Sequence, residues 1–236
     1  MMDYVNQLLF GYYPYVAVTV FLLGSLIRFD REQYSWRSGS SQMLRASQLR
    51  WGSNLFHVGI LAIFAGHFVG LLTPHRLYEA FGLTAAAKQL LAIVAGGVFG
   101  VICLVGLILL VHRRLVDPRI RRTSSAMDIA ILLMILAQLV LGLITIPYSL
   151  QHPDGAVMLQ LSEWAQRIVT FRAGAAELVA GVDLIYRLHL LLGLTLFVAF
   201  PFSRLVHVWS APVWYVFRPY QIVRRRGSNA RVRTAP

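Results

Sequence analysis

The chain has 236 residues, of which 57% are hydrophobic and only 14% charged, with a formal net charge of +12; this excludes an ordinary soluble domain and indicates a polytopic membrane protein. Its one cysteine, Cys103, lies in an apolar run, so this chain offers no internal disulfide, iron–sulfur cluster or covalent c-type haem attachment, and any metal must be held mainly by histidine. The Lys and Arg residues are dispersed between hydrophobic segments, which fits a membrane topology better than nucleic-acid binding.

Windows of about 20 apolar residues, the length that crosses a bilayer as a helix, predict an all-α membrane protein with five transmembrane helices. The first covers residues 5–27. Only MMDY precedes it, with an acid and no Lys or Arg, and no small-residue cleavage site follows, so a retained helix is expected and not a signal peptide. Residues 28–54 then carry Arg28, Arg31, Arg37, Arg45 and Arg50. The second helix, residues 55–73, leads into a loop at 74–88 whose cations are Arg76 and Lys88. The third, residues 89–111, is followed by Arg113, Arg114, Arg119, Arg121 and Arg122 within residues 112–127. After the fourth, residues 128–148, the loop at 149–183 has Arg167 and Arg172; after the fifth, residues 184–209, the tail holds six more arginines. The positive-inside rule places the three arginine-rich segments in the cytoplasm and the two sparse loops outside, giving N-out/C-in.

Within the second outer loop, AVMLQLSEWAQRIVTFRAG repeats Met158, Leu161, Trp164 or Ala165, Ile168 and Phe171 at helical spacing with polar residues between them. An outer-loop amphipathic helix lying on the membrane surface is expected; a helix packed across the tops of the spans carries the same pattern and about equal weight. Residues 1–226 thus form one five-helix membrane domain. Residues 227–236 have the composition of a basic, disordered tail. Setting topology is reason enough for its arginines, although anionic lipid or a partner would also attract them.

Seven histidines are present, and His75, His112 and His152 lie at span ends or in loops. His57 and His67 fall within the second span and His189 and His207 within the fifth, where ionisable side chains are rare and usually line a site. These spans run antiparallel in the predicted topology. His57 therefore faces His207 near the cytoplasm, and His67 faces His189 nearer the outside. One neutral imidazole from each of two facing helices is the usual way to hold a b-type haem iron from both sides. The ten-residue step from His57 to His67 rises about 15 Å on an ideal helix, whereas the eighteen-residue step from His189 to His207 rises about 27 Å. Pro201 lies in the longer step and is the first candidate to reconcile them through a kink.

Gly59, Gly66 and Gly70 flank the first two histidines, and AGGVFG supplies Gly96, Gly97 and Gly100. Such residues admit a flat porphyrin, and equally allow close helix packing through the GxxxG pairs Gly66/Gly70 and Gly96/Gly100. Arg28, Arg113 and Arg204 stand where they can meet the propionates of an inner haem; for any one of them, topology alone is the weightier explanation.

The stretches PYVAVTVFLLGSLIRFDREQYSWRSGSSQML, SNLFHVGILAIFAGHFVGLLTPHRLYEA and RLHLLLGLTLFVAFPFSRLVHVWSAP resemble the gamma subunit of membrane-bound respiratory nitrate reductases, a dihaem cytochrome b, over residues 13–223. The resemblance implies two haem b groups, a proximal one held by His57 and His207 and a distal one held by His67 and His189. It also implies quinol oxidation beside the distal haem, at a pocket involving Lys88 of AAAKQLLAIVAGG with Gly66 and His67. Without it, Lys88 reads as a surface anchor. The implied partners are a quinol (menaquinol or ubiquinol), membrane lipid, and a cytoplasmic iron–sulfur beta subunit joined to a molybdenum-containing alpha subunit that reduces nitrate. The implied location is the bacterial or archaeal cytoplasmic (inner) membrane. Three other readings share these spans: a cytochrome b subunit serving a different oxidoreductase, a haem-free anchor, and a transporter relaying protons or metal through histidines.

Overall fold

The computed structural model describes residues 2–36, 43–211 and 217–220. Five helices are long and apolar enough to cross a membrane, and there is no strand among the described residues. We label them α1 (Asp3–Arg31), α2 (Ala46–Leu72), α3 (Ala85–Val116), α4 (Ala126–Leu150) and α5 (Leu184–Ala199). The basic tail expected at 227–236 lies outside the described residues, as does Arg37.

Local chemistry sets the helix boundaries. Ser125 and Asp128 form a reciprocal capping box at the start of α4, with bonds of 3.1 and 3.0 Å. Thr84 caps α3 by accepting the Ala87 amide at 3.2 Å. α2 stops at Leu72, where Thr73 turns extended ahead of Pro74. Near its start α1 contains a π-helical turn, Leu8–Tyr12, just before Pro14, which has no N–H to donate.

α2 and α3 pack together most extensively, along a seam of small residues. An added Cβ at Gly59 would stand 2.6 Å from Cys103, and one at Gly106 only 2.3 Å from the Phe56 amide nitrogen; Gly52 faces Gly106 across the same seam. The buried cluster of Cys103, Leu107 and Leu139 extends this contact to α4. The glycines weighed from sequence divide differently. Gly100 is packed by Leu143 of α4, but a Cβ at Gly66, Gly70 or Gly96 would meet nothing within 4 Å, so close helix contact does not account for those three.

The amphipathic loop segment forms the helix Ala156–Val169 and buries Ser162, Trp164, Ala165 and Ile168. It lies across the ends of α1 and α2. Trp164 donates to the Phe10 carbonyl at 2.9 Å, Ser162 to Gly70 at 3.2 Å, and Gln166 to Leu71 and Thr73 at 3.0 and 3.2 Å. The helix thus packs on the span ends, as one of the two placements open from sequence has it. Carbonyls exposed at the helix termini gain donors in this way.

The fifth segment is not the continuous helix expected to residue 209. α5 ends at Ala199, a 3-10 turn occupies Phe200–Phe202, Ser203 is extended (φ −118°, ψ 179°), and a second 3-10 stretch runs Arg204–Ser210. Pro201 stands at the break, in the first turn of the 3-10 stretch, where its missing N–H is not needed. His207 therefore stands on a separate 3-10 element beyond the break.

Candidate functional site

α2 runs antiparallel to the fifth segment and brings its two histidines against those of that segment. The rings of His57 and His207 have centroids 6.4 Å apart, inclined at 72°. Those of His67 and His189 are 6.2 Å apart, inclined at 43°. An imidazole nitrogen binds a first-row metal at about 2 Å, and the ring centre lies about 1 Å further back, so two rings on opposite sides of one iron have centres about 6 Å apart. Both pairs match that spacing. Two imidazoles would supply only part of a coordination sphere, which suits a metal whose remaining ligands come from a macrocycle. The residues present therefore fit one haem at each pair.

Backbone geometry prepares three of the four rings. His57 Nδ1 lies 2.7 Å from the Ser53 carbonyl, His67 Nδ1 2.9 Å from that of Ile63, and His207 Nδ1 2.6 Å from that of Arg204. A carbonyl only accepts, so Nδ1 carries the proton and Nε2 keeps the lone pair a metal needs. The α2 histidines use the carbonyl four residues back; His207, on its 3-10 turn, uses the one three residues back.

His189 is held differently. Its Nδ1 is buried with no hydrogen-bond partner among the described residues, as is Gln138 Oε1, and the His189 Nε2 lies 3.5 Å from Gln138 Nε2. Gln138 and Gly142 of α4 flank it: a Cβ at Gly142 would stand 3.0 Å from His189 Cε1, and one at Gly193, a turn beyond His189, 3.1 Å from Gln138 Nε2. Sequence reasoning missed both α4 residues. Gln138 was visible as an amide inside the apolar run ILLMILAQLVLG; nothing in the sequence tied Gly142 to a histidine.

Lys88 is buried in the first turn of α3, only 6% exposed. Its Nζ lies 4.0 Å from the centre of the Tyr78 ring, a cation–π contact, and has no hydrogen-bond partner among the described residues. The Tyr78 hydroxyl donates at 2.6 Å to Val69, two residues beyond His67. Lys88, Tyr78, Gly66 and His67 thus belong to one end of the bundle. Burial runs against the surface-anchor reading of Lys88.

The three arginines lie at the other end, each with protein partners. Arg28 donates to the carbonyls of Pro201, Ser203 and Ser35 at 2.6, 2.8 and 2.9 Å and to Ser35 Oγ at 3.2 Å. Arg113 is buried and donates to Leu44 at 2.6 Å. Arg204 pairs with Asp128 at 2.8 Å, and Arg114 approaches the same carboxylate at 3.9 Å.

Residues 6–226 match the family model of the nitrate reductase gamma subunit. The chain is 54% identical to the respiratory nitrate reductase 1 gamma chain of Escherichia coli, over 95% of this chain and all of that protein. It is also 54% identical to the nitrate reductase 2 gamma chain of the same organism, over 96% of this chain and all of the relative. The nitrate reductase gamma chain of Bacillus subtilis is 36% identical over 94% of this chain and 99% of its own length. With five membrane-length helices and full-length similarity to these relatives, the chain belongs to the nitrate reductase gamma subunit family.

Proposed function

We propose that this membrane subunit of a nitrate reductase is a quinol-oxidising dihaem cytochrome b, delivering electrons to cytoplasmic iron–sulfur and molybdenum subunits and anchoring them to the inner membrane. The observation that carries the reading is the pair of cross-helix histidine contacts, with ring centroids 6.4 and 6.2 Å apart. Haem b bound at each pair would supply reversible one-electron chemistry. This chain's residues set the geometry: backbone carbonyls fix the tautomers of His57, His67 and His207, while Gly142 packs directly against the ring of His189.

Lys88 is the residue placed to act on quinol. Its ammonium, held over Tyr78 and with no hydrogen-bond partner among the described residues, donates a charge-assisted hydrogen bond to a quinol oxygen and stabilises the negative charge that grows there as the hydroxyl proton leaves. Complete oxidation releases two protons and two electrons and yields quinone. With the loop at 74–88 outside, the protons emerge outside. The absence of an iron–sulfur cysteine set in this chain makes an electron-accepting partner necessary.

A reduced-minus-oxidised visible spectrum of the assembled complex tests the proposal. Two b-type components are expected, with His57→Ala and His67→Ala each removing a different one. A properly assembled complex with no b-type signal would overturn it.

A further inference from the structure

We propose that Arg28 is a positioning residue for His207: from α1 it clamps the Pro201–Ser203 break and thereby sets the 3-10 turn that presents the imidazole to His57. The proposal rests on the dihaem reading of the two histidine pairs.

The break is the feature that lets a widely spaced pair in the fifth segment face a closely spaced pair in α2. A break alone does not define a geometry, because a chain leaving a helix at Pro201 has many exits. The structure holds one of them through two contacts from α1. Arg28 Nη1 donates to both carbonyls that flank the turn, Pro201 at 2.6 Å and Ser203 at 2.8 Å. The rest of its guanidinium is fixed by Ser35, through Oγ to Nε and the carbonyl to Nη2, so the clamp is itself oriented. One turn earlier on α1, Gly24 lies against the Pro201 ring so closely that a Cβ would stand 2.8 Å from Cγ. Pro201 and Ser203 are both buried.

Downstream, Ser203 caps the second 3-10 stretch by accepting the Leu205 amide at 3.1 Å. That stretch carries Arg204, whose carbonyl lies 2.6 Å from His207 Nδ1, and Arg204 in turn is tied to Asp128 of α4. The path from Arg28 to the imidazole runs through three consecutive hydrogen-bonded elements. A guanidinium suits it: a planar fork reaches two carbonyls and a third group at once, whereas a lysine ammonium offers a point charge without that geometry.

The test separates this role from a purely electrostatic one at a haem carboxylate. Arg28→Lys, which keeps the charge, Arg28→Gln, which removes it, and Gly24→Ala, which leaves charge untouched but presses on Pro201, are made in the complete complex. Low-spin electron paramagnetic resonance and redox-titrated difference spectra then read each haem separately. All three variants are expected to diminish or shift the signal of the His57–His207 haem and to leave the His67–His189 signal in place. A native signal in Arg28→Lys, with only Arg28→Gln lowering the potential, would assign Arg28 to charge and overturn the clamp. Native spectra in all three, or joint loss of both signals, would likewise overturn it, the latter making Arg28 a general prop of the bundle. A wild-type complex lacking b-type haem would remove the dihaem reading itself, a failure distinct from these.

Discussion

A histidine that binds metal must keep one nitrogen unprotonated and pointed, and here the backbone does that work three times out of four. His189 is the exception: its Nδ1 has no hydrogen-bond partner among the described residues, and the Gln138 side chain and the Gly142 backbone lie against its ring. Gly142→Val is therefore expected to displace the ring, since even a Cβ would stand 3.0 Å from Cε1; overpacking of this kind costs about 1–3 kcal/mol. Difference spectroscopy should show the His67–His189 component weakened and the other retained, whereas two undiminished components would mean the ring is held elsewhere. At Lys88 the expectation concerns rate. A hydrogen bond to a charged group contributes about 1.5–3 kcal/mol, so Lys88→Ala should lower kcat/KM for quinol about 10- to 100-fold with both haem signals intact. Turnover at the wild-type rate with natural quinol would take Lys88 out of the mechanism.

At the level of elements, the α2–α3 seam is the closest helix approach beside His57. Gly106 admits the Phe56 amide at a distance no larger residue tolerates, directly beside His57 in sequence. Gly106→Val should force the helices apart and lower stability by about 1–3 kcal/mol, read as a reduced midpoint in thermal unfolding of the detergent-solubilised complex; an unchanged midpoint would show the seam to be pliable. How much of this was legible from sequence depended on the kind of interaction. The five spans and both histidine pairs followed from hydropathy and from the rarity of imidazoles at membrane depth. Pro201 was recognisable as a disturbance, but its outcome, a broken helix clamped from α1, depends on Arg28 and Gly24, which are more than 170 residues away in sequence. The small-residue seam was misplaced for a related reason. Gly66 and Gly70 fit the GxxxG spacing, yet Gly52, Gly59 and Gly106 make the contact, because the helix face that packs is chosen by the partner.

For the molecule as a whole, the arrangement has a direction. His67, Lys88 and Tyr78 occupy one end, while His57, His207 and the cluster of Arg28, Arg113 and Arg204 occupy the other. If the arginine-rich end is cytoplasmic, as the positive-inside rule requires, quinol protons are released on one side of the membrane and electrons leave on the other. Each turnover then moves negative charge inward against a potential worth about 2.3 kcal/mol per charge per 100 mV, and the potential builds inside-negative. The orientation is checked first: a membrane-impermeant thiol reagent should label Arg76→Cys in intact cells, and labelling only after permeabilisation would reverse the topology. With the complex reconstituted in vesicles and supplied with quinol and nitrate, a voltage-sensitive dye should report a potential positive on the Lys88 side, accompanied by acidification of that side. Catalysis without a potential would place proton release and electron exit on the same face, which is incompatible with a site at Lys88 feeding a partner at the His207 end.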